Sequence, residues 1–200
     1  MKVVILNGSS RLIGNTSNIC IALSDEFERA GIETEQITVY DNELGLCNDC
    51  RTCEMRGDGR CIIEDDDMND ILDEMRSADG IILAAPAYGG SVPSNMQAFL
   101  ERADLCLSVG DHGLRGKVGG VVTVCAHEGG ELAYGHLTFW LLRNEVSVAG
   151  AFPLPLFRAL DSPGYEKDEA AMKGLKSLAA NMSRLMERNA GLQRGRQRRN

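Results

Sequence analysis

Two hundred residues, 44% of them hydrophobic and 25% charged, fit one globular domain or one domain carrying an insert. A formal net charge of −8 argues against a general nucleic-acid binder, and no run approaches the ~20 apolar residues that a membrane span needs. The apolar stretch 3–6 runs straight into a polar turn, so no signal peptide is expected, and a cytoplasmic protein with reduced thiols and no membrane partner follows.

Residues 2–7 (KVVILN) form a continuous apolar run rich in β-branched side chains, the pattern of a strand buried on both faces. The polar loop GSSRLIGNTS follows. A helix then presents Ile19, Ala22, Leu23 and Phe27 on one face and ends at Gly31. Residues 32–39 alternate as a more exposed strand.

Four cysteines come next. Cys47, Cys50, Cys53 and Cys61 are spaced C-x2-C-x2-C-x7-C within fifteen residues. Two successive x2 steps put three thiolates on one tight loop, and Gly57 and Gly59 let the chain turn back with a fourth. Iron–sulfur cubes are held by four thiolates at such spacings. A four-cysteine zinc site more often uses two separated C-x2-C knuckles. Free thiols are the third reading. Cys20, Cys106 and Cys125 lie on apolar segments and read as buried small hydrophobes.

A helix starting near Asp66 carries the stripe Met68, Ile71, Leu72 and Met75. Residues 80–86 (GIILAAP) make a second buried strand, and 93–108 a helix with Pro93 in its first turn. Residues 117–126 are a third buried strand, 130–144 a helix, and 147–150 a short last strand. A proline-containing loop at 152–164 leads to a final helix at roughly 166–188. Residues 1–188 thus form one domain with a cysteine-rich insert at 44–65. The tail 189–200, with Arg194, Arg196, Arg198 and Arg199, is expected to be disordered. Apolar strands alternating with amphipathic helices predict an α/β, doubly wound parallel sheet with right-handed crossovers.

Ligands in such sheets bind outside the carboxyl ends of the strands. The loop from Gly8 to Ser17 offers hydroxyls, glycines and a helix N-terminus, which suits a phosphate; an ordinary capped turn is the bland alternative. It is neither a dinucleotide fingerprint nor a P-loop. Pro86-Ala87-Tyr88-Gly89 could line a flat ring, and His127-Glu128-Gly129 form a third glycine-rich loop at a strand end.

GSSR…GNTS, the cysteine motif before an acidic DDM, and ADGII-x2-AP-x-Y…S-x-P-x2-M-x-x-F-x-x-R together resemble the iron–sulfur flavoproteins of the NADPH-dependent FMN reductase superfamily. The resemblance runs from residue 1 to about 150. It implies a flavodoxin-like five-stranded sheet of order 2-1-3-4-5 with the cysteine-rich insert after the second strand. It also implies bound FMN, with Ser9, Arg11, Asn15, Thr16 and Ser17 at the phosphate. Pro86, Ala87, Tyr88 and Gly89 would flank the ring, and His127, Glu128 and Gly129 would stand on its other side. Cys47, Cys50, Cys53 and Cys61 match the ligands of a 4Fe-4S cluster. No catalytic side chain is then required, because the chemistry belongs to the flavin. The implied partners are NAD(P)H or a small electron-carrier protein. A cluster-free NAD(P)H-dependent FMN or quinone reductase and a non-redox zinc module stay open. A homodimer or homotetramer is expected, with the insert and the apolar residues Phe152, Leu154, Leu156 and Phe157 supplying contact surface.

Overall fold

The computed structural model describes residues 1–42, 44–110 and 113–197, the stretch 193–197 by its backbone alone. Strand β1 (Lys2–Asn7) lies between β2 (Glu33–Thr38) and β3 (Gly80–Pro86), all parallel. Strand β4 (Val118–Cys125) follows β3, and β5 (Ser147–Val148) follows β4, so the order is β2-β1-β3-β4-β5, as the resemblance implied. Helices α1 (Asn15–Arg29) and α6 (Glu169–Gln197) pack on one face. Helices α3 (Met68–Ser77), α4 (Ser94–Leu107) and α5 (Gly130–Arg143) cover the other.

The apolar runs explain this layering. Along β1, Val3 and Ile5 enter the core under α1 and α6, whereas Val4 and Leu6 enter the core under α3 to α5. Strand residues alternate sides, so a sheet covered on both faces requires an unbroken apolar strand. Edge strand β2 is only partly buried, in keeping with its alternating sequence.

Three features depart from the sequence expectation. The edge position next to β4 is filled twice. β5 pairs with Val118 and Gly119, and a further strand, β6 (Leu156–Arg158), pairs with Thr123 to Cys125, making six strands in place of five. The interruption carries Pro153 and Pro155, which cannot donate to a ladder. Phe157 therefore packs in the core at 0% exposure and offers no contact surface, while Phe152 remains 87% exposed. Second, a short helix α2 (Thr52–Arg56) forms inside the cysteine segment. Third, α6 continues past 188 to Gln197. That stretch contains no proline, and its two glycines, Gly191 and Gly195, each cost a helix only ~1 kcal/mol relative to alanine. Arg194 and Arg196 thus belong to its last turns, and Arg198 and Arg199 lie outside the described residues.

Because every sheet pairing is parallel, the loops after β1, β2, β3, β4 and β6 all leave from one end. Both the phosphate loop and the cysteine segment depart from that end. No helix among the described residues is long and apolar enough to cross a membrane.

Candidate functional site: a cleft at the strand ends and a cysteine cavity against α4

A cleft of about 260 Å³ opens at the carboxyl ends of β1, β3 and β4. It is lined by Ser9, Arg11, Gly14 and Thr16 from the first loop, Pro86 to Tyr88 from the second, and Cys125 and Ala126 from the third. Asn15, Val124, Ala159 and Leu160 complete it. The first loop is shaped by its own side chains. The Asn7 carboxamide oxygen accepts from the Ser9 amide (3.0 Å) while its nitrogen donates to Ser17 Oγ (3.0 Å). Ser9 Oγ accepts from the Arg11 amide (3.1 Å), and Ser17 Oγ donates to the Arg11 carbonyl (3.1 Å). The first helical amide with an intrahelical acceptor is Asn18, bonded to the Gly14 carbonyl at 3.1 Å. The amides of Asn15, Thr16 and Ser17 therefore precede the ladder at the positive end of the helix. No side chain caps α1. An anion is the ligand such a terminus accommodates, and the exposed Arg11 guanidinium adds a positive charge beside it.

Two of the expected phosphate side chains are already committed elsewhere. Ser17 serves the loop, as above. Asn15 clamps the segment after β6. Its Nδ2 donates to the Asp161 carbonyl (2.7 Å), and its Oδ1 accepts from the amides of Gly164 (2.9 Å) and Tyr165 (3.3 Å). This clamp brings Ala159 and Leu160 to the cleft wall, a contribution invisible in a segment read as plain loop.

The third loop meets the cleft through Cys125 and Ala126. His127 and Glu128 are exposed, and neither they, Gly129, Gly89 nor Ser17 is among the residues that line it. Gly129 has φ +86, and a Cβ there would stand 2.9 Å from the Gly90 Cα. The second and third loops thus touch backbone to backbone, which only glycine permits at this φ.

The cysteine segment forms a second, more enclosed cavity. Cys47, Cys50, Cys53 and Cys61 all line it, together with Arg102, Leu105 and Cys106 from α4. Gly57 and Gly59 adopt φ +65 and +71, the turn expected between the third and fourth cysteines. Asp49 and Arg51, on either side of Cys50, also have positive φ, at 51 and 58. Such strain in non-glycine residues costs about 1–3 kcal/mol each and persists where surrounding structure imposes it. Cys53 and Cys61 are buried, Cys47 is half-buried and Cys50 exposed. Hydrogen bonds from the Thr52 side chain and backbone draw the Cys50 thiol below its ordinary value. Burial pushes the Cys106 thiol up to about 12. Among the described residues, no three His, Cys, Asp or Glu side chains converge closely enough to hold a single metal ion.

Cys61 is the best fixed of the four. Its amide donates to Asn69 Oδ1 (2.9 Å), and Asn69 Nδ2 donates back to its carbonyl (3.0 Å). Arg102 reaches its sulfur from α4 and forms a buried ion pair with Asp66. Burial disfavours the Asp66 carboxylate, yet hydrogen bonds from Arg102 and from the amides of Gly45 and Met68 hold it below its ordinary range. Neither Arg102 nor Cys106 was singled out from the sequence as part of this site. The available signal was a charged residue on the apolar face that also carries Phe99, Ala103 and Cys106.

Residues 1–158 match the family described as NADPH-dependent FMN reductase. An iron–sulfur flavoprotein of Methanocaldococcus jannaschii is 40% identical over 130 residues, covering 65% of this chain and 65% of the relative. One from Methanosarcina thermophila is 36% identical over 62% of this chain and 63% of its own length. The chain thus matches just under two thirds of the length of these relatives. A second Methanocaldococcus jannaschii iron–sulfur flavoprotein is 27% identical over 96% of this chain and 100% of its own length. Among solved structures, RosB with bound 8-demethyl-8-formylriboflavin-5'-phosphate superposes with a TM-score of 0.73 at 22% identity, covering 99% of this chain and 87% of RosB. FerB, an NAD(P)H:acceptor oxidoreductase from Paracoccus denitrificans, gives 0.68 at 16% identity over 94% of this chain and 98% of FerB. Both structures share the fold. With the family matched over most of its length, this chain belongs to the NADPH-dependent FMN reductase family, as a flavodoxin-like flavoprotein similar to the iron–sulfur flavoproteins.

Proposed function

We propose that this protein transfers electrons between a reduced donor, NAD(P)H or a ferredoxin-like carrier, and an acceptor, using FMN and a 4Fe-4S cluster held by Cys47, Cys50, Cys53 and Cys61. The observation that carries the reading is the shared lining of one enclosed cavity by all four cysteines, in an insert that leaves the same end of the sheet as the cleft. FMN supplies hydride or single-electron chemistry and the cluster supplies single-electron chemistry.

The chain's own part is binding and orientation. The amides of Asn15, Thr16 and Ser17, with Ser9, Thr16 and Arg11, suit the phosphate. Pro86, Ala87 and Tyr88 suit the edge of the ring. Asn15 acts on the phosphate through its backbone, since its side chain is engaged with the 159–165 segment. Ser17 likewise acts through its amide. Gly89, His127, Glu128 and Gly129 would meet the flavin from beyond the residues that line the cleft. Among the cysteines, the buried pair Cys53 and Cys61 faces the domain, and Cys50 faces solvent.

An anaerobic preparation analysed for flavin, iron, sulfide and zinc, with its visible spectrum, tests this reading. Flavin with about four irons per chain supports it. Flavin alone favours a cluster-free NAD(P)H-dependent FMN or quinone reductase, and zinc without flavin favours a non-redox module.

The same reading includes a homodimer or homotetramer. Its support is exposed apolar surface, with Leu46 72% and Ile62 48% accessible in the cysteine segment and Phe152 87% accessible beside α6. Light scattering at low micromolar protein checks it. A monomer near 21.7 kDa with FMN bound and reducible would overturn it.

A further inference from the structure

Arg102 is 1% exposed, yet it sits in the middle of α4 on a face otherwise made of Phe99, Ala103 and Cys106. Its guanidinium donates from Nε and from one terminal nitrogen to the same atom, Cys61 Sγ, at 3.3 and 3.1 Å. The same terminal nitrogen also reaches the Ile63 carbonyl (3.3 Å) and one Asp66 oxygen (3.1 Å), and the other terminal nitrogen reaches the Gly45 carbonyl (3.1 Å) and the second Asp66 oxygen. Arg102 therefore grips the cysteine insert at its start, at its end and at one of its sulfurs.

A structural clamp needs less than this. The Asp66 carboxylate already neutralises the buried cation, and two carbonyls already tie the insert to α4. A protonated thiol is a weak acceptor, whereas a thiolate accepts charge-assisted hydrogen bonds readily. Two N–H groups of a buried cation converge on that one sulfur, the arrangement that suits a metal-ligating sulfur.

We infer that Arg102 is a positioning residue for the iron–sulfur group: it orients Cys61 as a ligand and, by hydrogen bonding to its sulfur, raises the reduction potential of the cluster. This rests on the four-cysteine reading above. Hydrogen bonds to ligand sulfurs are among the determinants of cluster potential, because they withdraw electron density that the sulfur would otherwise give to iron. A lysine at this position keeps the charge and can pair with Asp66, but it lacks the planar fork that serves sulfur and carboxylate together.

Two measurements on the intact, cluster-loaded protein test the inference. In wild-type protein labelled with 15N only in the arginine guanidinium groups, pulsed EPR of the reduced cluster should show hyperfine coupling to a guanidinium nitrogen that persists in Arg51→Lys, since Arg51 also lines the cavity; its absence overturns the inference. In Arg102→Lys, with FMN content as the check on folding, the potential should fall enough to change the reduced-to-oxidised ratio at least tenfold in a fixed redox buffer, about 59 mV for one electron. An unchanged potential at full iron content overturns the inference and leaves the cluster assignment standing. If Arg102→Lys sheds its iron, the labelled wild-type protein decides alone. Wild-type protein that takes up no iron overturns the cluster assignment and the inference together, and that result is visible before any variant is made.

Discussion

The cleft at the strand ends and the cysteine cavity against α4 belong to one fold but are built on opposite principles. The cleft is made from strand ends and a helix N-terminus, so its donors are mostly backbone amides positioned by elements buried on both faces. Its walls are held by the fold itself, with Asn15 fastening the one segment that is not part of the sheet. The cysteine cavity is made from a loop. Its shape depends on a few strong polar ties, above all Arg102 to Asp66 and Cys61, and Asn69 to the Cys61 backbone. A site on sheet ends inherits the rigidity of the core; a site on an insert must carry its own fastening.

The contrast can be broken most sharply at Cys50. Cys50→Ser should abolish iron binding while leaving FMN content and global unfolding unchanged, since Cys50 is exposed and belongs to no core cluster. Iron analysis and a thermal melt check this, and unaltered iron would refute the four-cysteine assignment.

Removing the fastening should cost more in stability than any ligand. Arg102→Met leaves the Asp66 carboxylate buried without its cation, a change worth about 3–5 kcal/mol. Hydrogen exchange should then report opening across 44–65 well before the strands of the sheet. Uniform protection in the variant would show that the insert is held by other means.

At the cleft, Thr16→Glu puts a carboxylate where an anion is expected. FMN affinity should drop about a hundredfold, near 2.7 kcal/mol, as read by fluorescence titration with cluster content unchanged. Wild-type affinity would remove Thr16 from the phosphate site.

Asn15→Ala should be milder. It strands the amides of Gly164 and Tyr165 and costs about 1–3 kcal/mol, expressed as faster exchange of 159–165 and weaker flavin retention. The Asp variant should restore the acceptor half of the clamp.

The smallest effect is on acidification. Asp66 is held below its ordinary carboxylate value, so its contribution is fully present above an unfolded value of about 3.9 and is lost as pH falls through the lower folded one. Protection of the insert should therefore fade below about pH 4, and Asp66→Asn should make it less dependent on pH in that range.

Much of this was legible in the amino-acid order. The apolar runs at 2–7, 80–86 and 117–126 determined which strands are buried on both faces, and that requirement alone demands helices on either side. The four cysteines and the two glycines between the third and the fourth determined a loop that turns back on itself, because spacing and backbone freedom are local properties. The polar loop after the first strand likewise announced a helix N-terminus suited to an anion.

Tertiary structure decided what depends on partners distant in sequence. β6 is three residues between proline-rich segments, too short for any periodicity, and exists because Thr123 to Cys125 offer it an open ladder. Asn15 looked like a phosphate ligand by position, and only the return of the chain at 159–165 gave its side chain a different task. Arg102 lies 41 residues from Cys61, and nothing local reveals that its charge is buried against that sulfur. Short-range patterning sets where strands, helices and turns form; which side chains meet, and which are left facing the cleft, is set by how those elements pack.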